Sequence, residues 1–311
     1  MLSAVTLFEL VYGRLPRPEN HAVLAEVTNV QQTQGLQAAL RALIAGGDQH
    51  HAPTPMALRL TAETITYAHM GNLEMALDPA DVAISQPLLV GTYEPHLQRF
   101  YREHLRPGMR VVDVGANVGL YTLLAAQHVG STGHVWAIEP VSENCRLLLL
   151  SLTRNHLTNV TLHPVACGAA AGYALLTMAM GSNASLLADT EAALLAPSCV
   201  VVPLARLDDL VPGPVDLLKL DVEGAEGLVL QGGPRLLTSR PILTTEFSLE
   251  MLARVSQISG LDYLTSLQQR GYTCWLIPRD LGPLVPIPDP ETFLRTWGSP
   301  VRIEDLALLP A

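Results

Sequence analysis

From about residue 110 the chain alternates between short, nearly unbroken apolar runs and longer stretches of helical spacing. RVVDVG (110–115), HVWAIEP (134–140), NVTLHPVA (159–166), PVDLLKLDVEG (214–224), PILTTEF (241–247) and YTCWLIP (272–278) read as strands, with RIEDLALL near the C-terminus as a seventh. Between them LYTLLAAQHV, SENCRLLLLSLTRN, AEGLVLQGGPRLL and LDYLTSLQQRG repeat their apolar positions with the period of a helix, the second opened by a Ser142 cap. Strands that lack polar alternation are buried on both faces, and a helix between two of them makes a parallel crossover. The pattern predicts an α/β fold: a mostly parallel seven-stranded sheet with helices on both faces.

Upstream the rhythm differs. VTLFELVYGR and GLQAALRALIAG have helical spacing between polar, Pro-containing turns, which predicts a small helical segment over residues 1–60 ahead of a main domain over 61–311. TITYAHM, LEMAL and DVAIS, between residues 64 and 90, predict a strand-rich lead-in. GTYEPHLQRFYREHL reads as a loop and a helix with Pro95 in its first turn. Residues 167–213 exceed what a crossover needs, and GYALLTMAM and SCVVVPL predict extra strands there.

Composition narrows the function. A net charge of −10 over 311 residues, with no basic stripe, excludes nucleic acid and an anionic membrane surface as expected partners. No apolar run reaches the roughly 18 residues of a membrane span, and the N-terminus lacks the basic start and cleavage site of a signal peptide. Cys145, Cys167, Cys199 and Cys274 are scattered, with no paired spacing, and read as reduced thiols in a cytoplasmic protein. His50 and His51 fall in a loop-like stretch. His96, His104, His128, His134, His156 and His163 read as helix-surface or core residues. Lys219 is the only lysine beside eighteen arginines.

The first strand of the alternation ends in VVDVGANVGLYTLLAA, a turn with glycines at 115 and 119 directly before a helix. Glycines let a ligand approach the backbone, and a helix N-terminus offers free N–H groups. The spacing is not G-x-G-x-x-G, since 117 is Asn and 120 is Leu. Glu139, closing the second strand, is placed to accept hydrogen bonds from ribose hydroxyls, which indicates a ribose without choosing the cofactor. Asp113 chooses it: a carboxylate there would repel a pyrophosphate but suits the amino group of a methionine-like tail.

VVDVGANVGLYTLLAA, HVWAIEP, NVTLHPVACG, LARLDDL, DLLKLDVEGAEGLVLQGG and ILTTEF, in that order, resemble the FkbM family of methyltransferases over about residues 88–278. The most specific part is K-x-D-x-E-G-A-E at 219–226. The resemblance implies a Rossmann-like, doubly wound methyltransferase sheet, S-adenosylmethionine as cofactor and methylation of a hydroxyl on a small molecule such as a sugar, a polyketide or another secondary metabolite. By matching position it implies that Asp113, Gly115, Ala116, Asn117 and Gly119 hold the methionine end, Glu139 and Pro140 the ribose, and Ala166 the adenine. Asp221 would lie near the amino-acid tail or the substrate, and Glu94 would also reach the cofactor. GSNASL (181–186) loosely resembles a family loop.

Alternation along the fourth strand puts Leu217, Lys219, Asp221 and Glu223 on one face and Leu218, Leu220 and Val222 on the other. Ligands in such sheets sit at the carboxyl ends of strands, so Lys219, Asp221 and Glu246 are the expected catalytic group. Lys219 reads either as a general base, if burial lowers its pKa by about three units, or as a charged partner of Asp221, Glu223 or Glu246. A divalent cation such as Mg on Asp221 and Glu246 would favour the neutral lysine, though no third ligand is evident. Glu223 and Glu226 suit the start of the following helix. Two other readings stay open at this point: an NAD-linked oxidoreductase or epimerase, and a non-catalytic binding module on the same fold. A homo-oligomer formed through residues 1–60 is compatible with either.

Overall fold

The computed structural model describes residues 65–180, 183–187, 194–195, 199–299 and 301–311. The N-terminal helical segment, its expected boundary at residue 60 and His50–His51 lie outside the described residues, as do Gly181 and Ser182 of the GSNASL loop. A compact unit spans Ile65–Ala311.

At its centre lies an eight-stranded sheet in the order β13-β12-β14-β11-β10-β3-β4-β5. β3 (Arg110–Val114), β4 (His134–Ile138), β5 (Val160–His163), β10 (Leu217–Leu220) and β11 (Ile242–Ser248) run parallel to one another. β14 (Ile303–Pro310) is antiparallel to β11, and β12 (Tyr272–Leu276) pairs antiparallel on its far side. The seven expected strands are all present. The eighth, β13 (Val285–Ile287), is an edge strand antiparallel to β12. Pro286 sits in it, and proline is tolerated there because an edge leaves N–H positions unused; the prolines around it are also what hid the strand.

Both faces are covered, as the unbroken apolar runs demand. Leu217, Leu218, Lys219 and Leu220 are all buried in sequence, as are Val111, Val112, Asp113 and Val114. Leu218 and Leu220 join Val112, Val114, Val229, Phe247 and Tyr263 in the main core, so the expected split of the β10 faces holds. α3 (Leu120–Val129) matches its sequence run residue for residue, and α4 (Ser142–Arg154) nearly so. Ser142 is not the cap, however. Its hydroxyl donates to Glu143, while the N–H of Val141, at the cap position, is taken by the Glu139 side chain.

β1 (Thr66–Met70) and β2 (Leu73–Leu77) form a hairpin packed on α4, tied by the Ala76 N–H to Ser151 Oγ and the Glu74 N–H to Asn155 Oδ1, both 2.9 Å. DVAIS is not a strand. The Asp81 carboxylate accepts from the backbone N–H of Ala83 and Ser85 and from the Ser85 hydroxyl, and so opens the short helix α1 (Ser85–Leu89). An Asx turn can present the same two-residue alternation as a strand. α2 (Pro95–His104) starts at Pro95 as expected.

The expected third strand divides at Pro164. Its first part is β5, and its second, β6 (Ala166–Gly168), joins a separate four-stranded sheet of order β6-β9-β7-β8. That sheet contains β7 (Gly172–Met180), β8 (Asn183–Leu187) and β9 (Cys199–Arg206), the extra strands expected in this region. AEGLVLQGGPRLL likewise divides, at Pro234, into α5 (Glu226–Gly232) and a one-turn helix, Pro234–Leu237.

Candidate active site

The site begins where β3 runs out. Gly115 and Ala116 both donate their N–H to the Ile138 carbonyl of β4, at 3.0 and 3.1 Å. Gly115, Asn117 and Gly119 have φ of +79°, +49° and +99°, a left-handed path that glycine takes without penalty and asparagine tolerates. Gly115 has a second reason to be glycine. A Cβ there would stand 1.7 Å from the Asp221 carbonyl oxygen, so the turn after β3 lies against the turn after β10. At Gly119 a Cβ would stand 2.3 Å from Leu148 Cδ1, which lets α3 and α4 approach.

Glu139, at the end of β4, holds this turn. Its carboxylate accepts from the N–H of Asn117 at 2.8 Å, the N–H of Val141 at 2.9 Å and the Asn144 amide at 3.2 Å. Burial pushes its pKa up to about 7, and the three donors pull the other way. A carboxylate has about four lone-pair positions, so one remains for a ligand.

Lys219, the single lysine, is enclosed by oxygens. Its Nζ is 3.0 Å from Asp221 Oδ2, 3.3 Å from the Gly115 carbonyl and 3.4 Å from Asp113 Oδ1, and it lies 5.2 Å above the Tyr121 ring. An ammonium has three donors on a compact head, and three oxygens surround this one. Burial on its own would strip the proton, but Asp221, Asp113 and Tyr101 outweigh it and hold the Lys219 pKa well above the usual lysine value. The geometry therefore supports the charged partner, not the general base. Asp113 is buried beneath the turn, where its Oδ2 accepts from Thr122 Oγ1 at 2.6 Å.

A cavity of about 940 Å³, counting its open mouth, occupies the carboxyl ends of β3, β4, β10 and β11. Of the residues singled out in the sequence, Glu94, Gly115, Ala116, Asn117, Glu139, Pro140, Ala166, Lys219, Asp221 and Glu246 line it, whereas Asp113 and Gly119 do not. Asp113 reaches the cavity only through Lys219, and Gly119 serves the packing of α3. Pattern reasoning passed over Tyr93, Tyr121, Val165, Cys167 and Leu176, which also line it. Tyr121 follows the glycine turn by two residues on α3 and Tyr93 adjoins Glu94; nearness to those motifs was the available signal. Cys167 and Leu176 come from the second sheet and Val165 from the bend leading into it, which a single-sheet reading does not bring here.

The wall is acidic. Glu94, in a left-handed conformation at the head of α2, accepts the Tyr121 hydroxyl at 2.6 Å. Burial first, then Asp221 and Asp305, push its pKa up to about 7. Glu223 is likewise pushed to about 7 by burial and Asp221. Glu246 is held well above the ordinary carboxylate range by burial, then by Asp221, Glu223, Glu226 and Asp305. Glu226, not Glu223, holds the start of α5: its Oε1 accepts from the N–H of Val222 and Gly224. Glu223, with φ +54°, has left the strand and turned into the cavity wall. Among the described residues no group of three or more His, Cys, Asp or Glu is placed to hold a metal. Asp221 is already held by Lys219, so the divalent cation considered on Asp221 and Glu246 finds no ligand set.

Residues 113–274 match the family described as "Methyltransferase FkbM domain". The chain belongs to the FkbM methyltransferase family. The matched residues thus form a methyltransferase domain of the FkbM type. A stretch of 58 residues is 34% identical to the protein-L-isoaspartate O-methyltransferase of Methanothrix thermoacetophila, covering 19% of this chain and 28% of that protein. The FkbM methyltransferase structure from Methylobacillus flagellatus KT shares 18% identity at TM-score 0.41, over 68% of this chain and 50% of that one. M. jannaschii TYW2 in complex with AdoMet shares 14% identity at TM-score 0.40, over 80% and 87% of the two chains. This chain thus spans about half of that FkbM structure and little more than a quarter of the isoaspartate enzyme. Among the described residues, no helix is long and apolar enough to cross a membrane.

Proposed function

We propose that the chain transfers a methyl group to a hydroxyl of a small-molecule acceptor, and that Glu246 takes the hydroxyl proton. The observation that carries this reading is the convergence of Glu246, Asp221 and Lys219 on one cavity wall next to the glycine turn. Among the described residues no donor reaches the Glu246 carboxylate; the Thr245 hydroxyl goes to the Glu246 backbone carbonyl, and the carboxylate lone pairs are left for a ligand.

The cavity fits S-adenosylmethionine on its own features. Gly115 leaves a bare backbone where any Cβ would collide, Glu139 keeps a free acceptor position, and Glu94, Glu223 and Glu246 surround the space with acid. Gly115, Ala116 and Asn117 would hold the methionine end, Glu139 and Pro140 the ribose, and Ala166 the adenine. When bound, this cofactor supplies an electrophilic methyl on a positively charged sulfur.

The residues have separable tasks. Lys219 fixes the Asp221 carboxylate and the Gly115 carbonyl, so the turns after β3 and β10 keep one geometry; alignment of reactants can supply roughly 7–11 kcal/mol. A positive charge in the cavity favours the ionised form of Glu246, and a carboxylate whose proton affinity is raised is a better acceptor for a hydroxyl proton near neutral pH. Tyr121 donates to Glu94 and so leaves Glu246 as the less encumbered acid. A small hydroxylated acceptor in the cytoplasm is the setting this reading assumes.

The test combines calorimetry and product mass. The chain should bind S-adenosylmethionine and S-adenosylhomocysteine and, offered a panel of hydroxylated sugars and polyketides, add one methyl to oxygen. Transfer confined to nitrogen or carbon acceptors would overturn the O-methylation reading.

A further inference from the structure

Behind the acidic wall lies a second pair of titratable groups that the chemistry above does not use. His96 Nε2 is 2.7 Å from Asp305 Oδ2, and both residues are buried, at 4% and 8% exposure. His96 belongs to the first turn of α2, two residues after Glu94, while Asp305 lies on β14, 209 residues away in sequence. Neither lines the cavity.

Asp305 has a second neighbour, fixed by the sheet. In the antiparallel ladder between β11 and β14 it stands directly opposite Glu246. Directly opposed residues project from the same face with Cβ atoms about 4.5–5.5 Å apart, and like charges there repel. The imidazole bonds one face of a carboxylate whose other neighbour is the cavity acid.

We propose that His96 is a positioning residue which, by binding Asp305, fixes the direction of that carboxylate opposite Glu246 across the ladder. The proposal rests on Glu246 as the proton acceptor. Its physical content is simple. A fixed negative charge across the ladder makes Glu246 hold a proton more firmly, and a buried carboxylate needs a hydrogen-bond donor. His96 is that donor. Glu246 is also faced by Asp221, Glu223 and Glu226 from the segment after β10, and by Tyr93 from the head of α2. Glu94 feels Asp305 as well, so the experiment must separate the two glutamates.

Affinity for S-adenosylmethionine, measured by calorimetry from pH 5 to pH 9, provides the readout. A cation binds the ionised wall better, so affinity should fall as pH drops and the wall takes up protons. Asp305→Asn should move the midpoint of that fall to lower pH by about one unit, since the opposing charge is gone. His96→Leu should move the midpoint the same way, because the carboxylate opposite Glu246 then loses the donor that fixes its direction. His96→Gln, which can still donate to Asp305, should restore the original midpoint. In a Glu246→Gln background, Asp305→Asn should produce no further shift.

An unshifted midpoint in Asp305→Asn, the same shift with and without Glu246, or pH-independent affinity in the unaltered chain would each overturn the proposal. Should His96→Leu fail to fold, the near-isosteric Asp305→Asn and His96→Gln carry the test. Failure of the proton-acceptor reading shows elsewhere: Glu246→Gln would still transfer a methyl group, whatever the binding profile does.

Discussion

The Asp221 carbonyl oxygen lies 1.7 Å from where a Cβ on Gly115 would be. Two turns from different strands thus share one space, and only a residue without a side chain lets them do so. Gly115→Ala should lose cofactor binding by at least about tenfold and lower the melting temperature. Its left-handed φ alone costs roughly 1–2 kcal/mol, and the collision with backbone adds to that. Gly91→Ala is the control: φ is +72° but nothing lies within 4 Å, so only the backbone cost should appear in a denaturant titration.

Lys219→Met should destabilise the fold by about 3–5 kcal/mol, because it leaves Asp113 and Asp221 without their shared cation. Adding Asp113→Asn should recover part of that loss, which equilibrium unfolding in urea would show. Lost methyl transfer at unchanged stability would contradict the clamp and return Lys219 to the role of base.

Stability of the ligand-free chain should fall as pH rises. Glu94, Glu139, Glu223 and Glu226 are each raised from 4.5 to about 7. A folded-state pKa above the unfolded one means the native chain binds the proton more tightly. The resulting stability is full below about pH 4.5 and is lost as pH climbs through 7. Melting curves between pH 5 and pH 8 should show this decline. Added S-adenosylmethionine should offset more of it at pH 8 than at pH 5.

Glu139→Gln puts an amide group where three donors converge. At least one donor, from Asn117, Val141 or Asn144, then meets another N–H. Such a mismatch costs about 1–3 kcal/mol, and cofactor affinity should drop at least about tenfold by calorimetry. Unchanged affinity in Glu139→Gln would argue against its carboxylate as the ribose contact.

Much of the fold could be read in advance because its signals are local. The unbroken apolar runs named the central strands, and the run LYTLLAAQHV marked α3 to the residue. What escaped depended on contacts between distant segments. Pro164 sends Ala166 into another sheet, yet that sheet still brings Ala166 to the cavity. Ser142 is the first helical residue and Val141 the cap, a boundary that spacing does not fix to the residue. Asp113 looked like a ligand contact because it precedes the turn, but in the parallel ladder it stands beside Lys219 and is spent there. Glu223 and Glu226 are three residues apart in one motif, and only the left-handed turn at Glu223 separates their tasks.

The sealed position of Lys219 also has a practical consequence. It is the molecule's one side-chain amine, and it is 3% exposed. An amine-directed acylating reagent should leave it untouched while the chain is folded and label it once the chain opens. Intact mass would then count opened molecules one by one, a labelling clock that most proteins, with amines scattered over their surface, do not carry.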